Sequence, residues 1–288
     1  MRFPDFLIIG AMKAGTTTLY RDLQANSRIF LPADKEPNAL SNEDVFQPQG
    51  QQGYADLFRP AKADQRCGEA STQYTKRPTL LGVPERAQRL LGPGLKVIYL
   101  VREPVARLIS HHRHFAGMGL MSADIQEALE QDQTLVDYGR YAMQIEPWIE
   151  TLGKEAVRIV RFESYVGDRR ATVDALCDFL EVEPQSNRIN VDHIHNKSEN
   201  KPQMTSGWRR FRTSGLYQRL LRPLIPSRAR LAIRGAVLPR ETKQPGPPPA
   251  AMVPGLVNRF REDADHLKVI MGTDQPLWDF DQVLARYT

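Results

Sequence analysis

The chain has 288 residues, a formal net charge of +5 and 41% hydrophobic residues, enough for one large domain with a sizeable core. Its two cysteines, Cys67 and Cys177, are far apart and lack metal-ligand spacing, which excludes a disulfide framework and a cysteine zinc site. No apolar run reaches about 18 residues and no charged-then-apolar leader precedes the first strand, so a soluble cytoplasmic protein is expected.

In chain order, Phe6–Gly10 reads as a buried strand and Thr16–Ala25 as a helix, joined by a turn bounded by Gly10 and Gly15. Glycine at such places lets consecutive N–H groups turn inward around an anion at the positive end of the helix. Thr16, Thr17 and Thr18 add hydroxyl donors, and Lys13 lies inside the loop. A Walker loop would instead place lysine directly after the second glycine. This arrangement resembles the 5′-phosphosulfate loop of sulfotransferases that use 3′-phosphoadenosine 5′-phosphosulfate, in the variant found in heparan-sulfate-type and bacterial members. The resemblance implies a cofactor contact for Lys13, Ala14, Gly15, Thr16, Thr17 and Thr18, and a catalytic role for Lys13.

Prolines in the next stretch place Lys35 and Glu36 on a loop. In that family a Lys-Glu pair at this distance supplies the catalytic base, which falls on Glu36. The family's following His-Phe-Phe is replaced by Asn38, Ala39 and Leu40, and Lys35 and Asn38 become candidate acceptor contacts. Polar residues 41–63 read as a surface loop. Residues 67–74 read as a short strand ending in a turn and resemble the family's Glu-x-Ser/Thr-Pro-x-Tyr segment, with Thr72 in place of proline. Tyr74 is there either an acceptor contact or a half-buried aromatic.

A helix over Pro84–Leu91 leads to the apolar strand Lys96–Val101, which ends on Arg102; a helix with Pro104 in its first turn follows. The pairing of Arg102 with Ser110 is the family's second signature, which implies that the two hold the 3′-phosphate. Guanidinium grips phosphate bidentately, whereas a Walker B strand ends in an acidic magnesium ligand. His111 and His114 stand at i and i+3, but no carboxylate or cysteine at metal spacing accompanies them, so no metal is expected. One of His111, His112 and His114 is the alternative base, and His114 a candidate acceptor contact.

Helices over 122–131 and 138–152, a strand over 155–163 and a helix over 170–180 follow. Arg161 and Glu163 match a structural Arg-Phe/Tyr-Glu strand end of the family. Residues 195–202 correspond to a loop that wraps the adenosine and 3′-phosphate, with Lys197 and Lys201 as its basic positions. Residues 208–243 carry many arginines and read as basic amphipathic helices, an insertion over about 205–250 in an otherwise single domain 1–288. That element suits an anionic acceptor, a membrane surface through residues 209–243, or a solvated face; no nucleic-acid partner is expected. A helix over Pro254–Met271 and a tryptophan segment at Trp278 close the chain.

These elements predict a three-layer α/β, P-loop-like fold with a mainly parallel sheet. The resemblance implies sulfuryl transfer from 3′-phosphoadenosine 5′-phosphosulfate to a hydroxyl, or less readily an amine, of a glycan or small molecule, without a required metal. A P-loop kinase and a non-catalytic nucleotide- or polyanion-binding protein are the competing readings.

Overall fold

The computed structural model describes residues 1–191 and 245–287. Five strands form one sheet: β1 (Phe6–Gly10), β2 (Ile29–Phe30), β3 (Arg66–Ala70), β4 (Lys96–Val101) and β5 (Val157–Arg161), in the order β2-β3-β1-β4-β5. Every pairing is parallel. A central parallel strand is covered on both faces and needs a continuous apolar run. β1 meets that need with Phe6, Leu7, Ile8 and Ile9 all fully buried, each contributing about 1.5–3 kcal/mol. A charged residue at any of these positions would therefore break the sheet at its centre.

The helices are α1 (Thr16–Gln24), α2 (Pro48–Asp56), α3 (Val83–Leu91), α4 (Pro104–Gly117), α5 (Ile125–Gln131), α6 (Thr134–Asp137), α7 (Tyr141–Leu152), α8 (Phe162–Gly167), α9 (Arg169–Phe179), α10 (Val253–Met271) and α11 (Phe280–Ala285). Helix α7 packs against α3 and α10, while α1 packs against α9. Among the described residues no helix is long and apolar enough to cross a membrane. Cys67 and Cys177 are free and buried.

Several boundaries differ from the sequence reading. Residues 41–63 hold helix α2 and short 3-10 turns rather than a surface loop, because Tyr54, Ala55 and Phe58 are buried. Helix α5 starts at Ile125, where the Asp124 side chain accepts from the backbone N–H groups of Gln126 and Glu127 and caps it. Residues 67–74 do form a strand that ends in a turn: β3 stops at Ala70, and a 3-10 turn over Thr72–Thr75 follows. Glu163 lies in α8, not on a strand. The basic segment 209–243 and the loop with Lys197 and Lys201 lie outside the described residues.

Order and register bring three strand ends to one edge. Leu7 pairs with Glu69 and Leu7 also with Val97, so β1, β3 and β4 finish side by side. The chain visits β2 and β3 on one side of β1 and β4 and β5 on the other. Open parallel sheets bind ligands outside the strand ends at such a switch of direction.

Candidate active site

The turn after β1 is built to approach an anion with backbone. Gly15 takes a left-handed φ of 96°, and a Cβ there would stand 2.8 Å from the Phe162 ring. A side chain is thus excluded both by conformation and by space. The Ala14 N–H closes the turn on the Ala11 carbonyl at 3.1 Å. Among the described residues no side chain caps α1 and no acidic residue stands in its first turn, an arrangement that suits an anion at the positive helix end. Thr16 and Thr18 are buried and Thr17 is half-buried.

Arg102 leaves β4 beside this turn. Its Nη1 donates to the Lys13 carbonyl at 3.4 Å, and its guanidinium lies 4.9 Å from the centre of the Phe162 ring. The Tyr141 hydroxyl donates to the Arg102 carbonyl at 2.6 Å and fixes the strand end. The acid that follows it, Glu103, is occupied: its carboxylate accepts from the N–H groups of Val105 at 2.6 Å and Ala106 at 2.9 Å, capping α4. Its own N–H donates to Glu163 Oε1 at 2.8 Å, and Glu163 Oε2 accepts from Trp278 Nε1 at 3.2 Å. The corner therefore presents a cation. Ser110 lies about two turns along α4, partly exposed.

Lys35 and Glu36 complete the group. Lys35 Nζ donates to Thr16 Oγ1 at 2.9 Å and to Glu36 Oε1 at 2.9 Å, joining the first turn of α1 to the carboxylate. Glu36 Oε2 accepts from the Thr72 N–H at 2.7 Å. Both Glu36 and Asn38 have left-handed φ angles, 65° and 56°. Asn38 donates its N–H to Ser71 Oγ at 3.0 Å and its Nδ2 to the Glu36 carbonyl at 2.9 Å. Asn38 Oδ1 is buried with no hydrogen-bond partner among the described residues.

Other expected positions are placed differently. Tyr74 is not at the cleft: it is 3% exposed, and its hydroxyl donates to Glu69 at 2.6 Å in the core. His111 is buried, stacked on Tyr138 and within 3.2 Å of Arg107. Burial, together with the charges of Arg107, Lys76, His114 and Lys13, pushes it down to about 2. So weak a base cannot hold an acceptor proton. His112 is buried too and bonded to the Ser122 carbonyl at 2.9 Å. His114 is half-buried, edge-on to Phe115.

Sequence reasoning missed Lys76. Its ammonium lies 5.5 Å from the centre of the Tyr138 ring; burial lowers its pKa, partly offset by Glu36. No sequence signal marks it, since it sits in an ordinary turn before Pro78. A separate open groove of about 560 Å³ lies between α5 and the start of α10 and holds none of these residues.

A family model described as the sulfotransferase domain matches residues 3–212. The chain belongs to the sulfotransferase domain family. It is 22% identical over 251 residues to carbohydrate sulfotransferase 15 of Rattus norvegicus, covering 64% of this chain and 45% of that protein. It is 25% identical over 220 residues to the bifunctional heparan sulfate N-deacetylase/N-sulfotransferase of Drosophila melanogaster, covering 66% of this chain and 21% of that protein. The chain thus spans less than half the length of these two relatives. Its fold is similar to a sulfotransferase from Alicyclobacillus acidocaldarius, with a TM-score of 0.65, 20% identity and coverage of 96% of this chain and 98% of that one. A sulfotransferase domain from the curacin biosynthetic pathway gives a TM-score of 0.53 at 17% identity, covering 93% and 99% of the two chains.

Proposed function

We propose that this sulfotransferase moves a sulfuryl group from 3′-phosphoadenosine 5′-phosphosulfate to a carbohydrate hydroxyl, with Glu36 as general base. The observation that carries the reading is Lys35 Nζ, within 2.9 Å of both Thr16 Oγ1 and Glu36 Oε1, which ties the anion-binding turn and a carboxylate into one place. The uncapped start of α1, the left-handed Gly15 and the cation at the β4 end suit a ligand with phosphate at two points. When bound, the donor supplies a sulfuryl group already activated by its link to a 5′-phosphate.

The residues then divide the work. A carboxylate has about four lone-pair sites; Lys35 Nζ with the N–H and hydroxyl of Thr72 occupy three of those on Glu36, which leaves one for the acceptor on a side chain that is 34% exposed. Glu36 takes the proton of the acceptor hydroxyl as its oxygen bonds to sulfur. Lys13 and the N–H groups of the turn neutralise charge on the departing 5′-phosphate. Arg102 and Ser110 bind the 3′-phosphate and so align the donor, with Lys197 and Lys201 expected to assist. The names of the relatives, a carbohydrate and a heparan sulfate sulfotransferase, support a glycan acceptor.

Calorimetric titration tests the donor. The protein should bind 3′-phosphoadenosine 5′-phosphate without magnesium and bind ATP weakly. Arg102→Ala should weaken the bisphosphate by roughly 10- to 100-fold, the equivalent of one lost charge-assisted contact. A preference for ATP with magnesium would overturn the reading in favour of phosphoryl transfer, and equal affinity in Arg102→Ala would remove that residue from the site.

A further inference from the structure

One buried acid is not used by this mechanism. Glu69, on β3, is 1% exposed and receives three hydroxyl donors: Tyr54 at 3.0 Å and Tyr74 at 2.6 Å on Oε1, and Ser71 at 2.9 Å on Oε2. Two of those hydroxyls also accept from backbone just beyond Glu36. Ser71 Oγ accepts the Asn38 N–H at 3.0 Å, and the Tyr74 hydroxyl accepts the Leu40 N–H at 3.2 Å.

We infer that Glu69 is a positioning residue, whose carboxylate fixes the direction of the Ser71 and Tyr74 hydroxyls and thereby holds the turn that presents Glu36. A hydroxyl has one proton to give. Because an ionised carboxylate only accepts, it receives a hydrogen bond from both hydroxyls and turns their lone pairs toward Asn38 and Leu40. The turn needs such support: Glu36 and Asn38 both occupy left-handed backbone, which costs of order 1–3 kcal/mol each and persists only where surroundings impose it. The remaining supports come from the same strand end, since the Glu36 N–H donates to the Ala70 carbonyl at 2.9 Å and Thr72 N–H to its carboxylate.

Protonation would undo the arrangement. A neutral Glu69 donates where it now accepts: with its proton on the Ser71 or Tyr74 oxygen, that hydroxyl must turn its own hydrogen away from the carboxylate, toward Asn38 or Leu40. Titratable groups face it from every side: Tyr54 from α2, Tyr20 from α1, Tyr74 from the 3-10 turn and Glu36 from the loop. Burial pushes its carboxyl up to about 7; the hydrogen bonds from Tyr74, Ser71 and Tyr54 pull the other way, and Glu36 adds to the rise. The charged form is the working one, so activity should be complete above that pH and fall below it.

This inference rests on Glu36 being the base, and the test separates the two. Release of 3′-phosphoadenosine 5′-phosphate from the donor would be followed against pH, with desulfated heparan sulfate and with water as the sole acceptor, in the wild type and four variants. Wild-type kcat should fall on the acid side of about pH 7. Tyr54→Phe removes a donor to Glu69 that does not touch the turn; it should keep kcat at high pH within about 2-fold and move the acid limb upward. Ser71→Ala and Glu69→Gln should lower kcat by roughly 10-fold or more with donor KM within about 2-fold. Infrared titration gives a readout independent of turnover: a protonated-carboxyl band appearing near pH 7 in the wild type and Glu36→Gln, and missing in Glu69→Gln.

An unmoved acid limb in Tyr54→Phe, or wild-type kcat in Ser71→Ala, would overturn the positioning role. Persistence of the infrared band in Glu69→Gln would do the same. Full turnover in Glu36→Gln would instead remove the base, whatever the Glu69 variants show. Should Glu69→Gln fail to fold, Tyr54→Phe and Ser71→Ala still decide the matter.

Discussion

Glu36→Gln is expected to lower turnover by roughly 100- to 10,000-fold, the usual worth of a positioned general base. Glutamine keeps the shape and one acceptor oxygen, so it can still receive the Thr72 N–H that Glu36 Oε2 accepts at 2.7 Å. It cannot take a proton. Its amide also donates where Lys35 Nζ now donates at 2.9 Å, but Lys35 retains Thr16 Oγ1 at 2.9 Å. The anion-binding turn therefore stays in place, and affinity for 3′-phosphoadenosine 5′-phosphate should change by no more than a few-fold. Single-turnover kinetics set beside calorimetry checks both halves. Loss of affinity equal to the loss of rate would make Glu36 a binding residue only.

Arg169→Ala should destabilise the fold by about 3–5 kcal/mol, because it strips one partner from a buried ion pair. Arg169 and Asp22 have side chains only 6% and 4% exposed. The guanidinium grips the carboxylate with two bonds, Nη2 to Oδ1 at 2.6 Å and Nε to Oδ2 at 2.9 Å, and the Tyr165 hydroxyl donates to Asp22 as well. Helix α9 is thus fastened to α1, the helix that follows the turn after β1. Alanine would leave the Asp22 carboxylate buried without its cation. For a domain of this size, thermal unfolding should move down by roughly 6–20 °C. Arg28 and Asp64, 47% and 58% exposed, make the contrast: losing that surface pair should cost about 0–1 kcal/mol. Similar shifts in the two variants would show that burial does not set the difference.

What the sequence makes legible is what local spacing encodes. Gly15, Lys13 and the threonines lie within a few residues of one another, and Arg102 follows its strand directly, so strand and turn can be read together. Helix α2 was hidden for the opposite reason. Gly50 sits within it because a Cβ would come 2.0 Å from the Asp44 carbonyl, and a glycine chosen for close approach reads in sequence as a turn. Tyr74 reads either as a cleft contact or as a half-buried aromatic because its partner is invisible in sequence: Glu69 accepts its hydroxyl only once the end of β3 folds over into the 3-10 turn. The same holds for Lys35 and Thr16, whose contact depends on β1 and β3 ending side by side. Neither helical nor strand periodicity carries that information.

The Glu163 carboxylate, held by Trp278 and holding Glu103, braces the Arg102 corner from a segment that follows α10. The turn after β1 is closed instead by its own backbone bond from Ala14 to Ala11. Loss of the Trp278 indole would therefore loosen the arginine corner while leaving the turn after β1 closed.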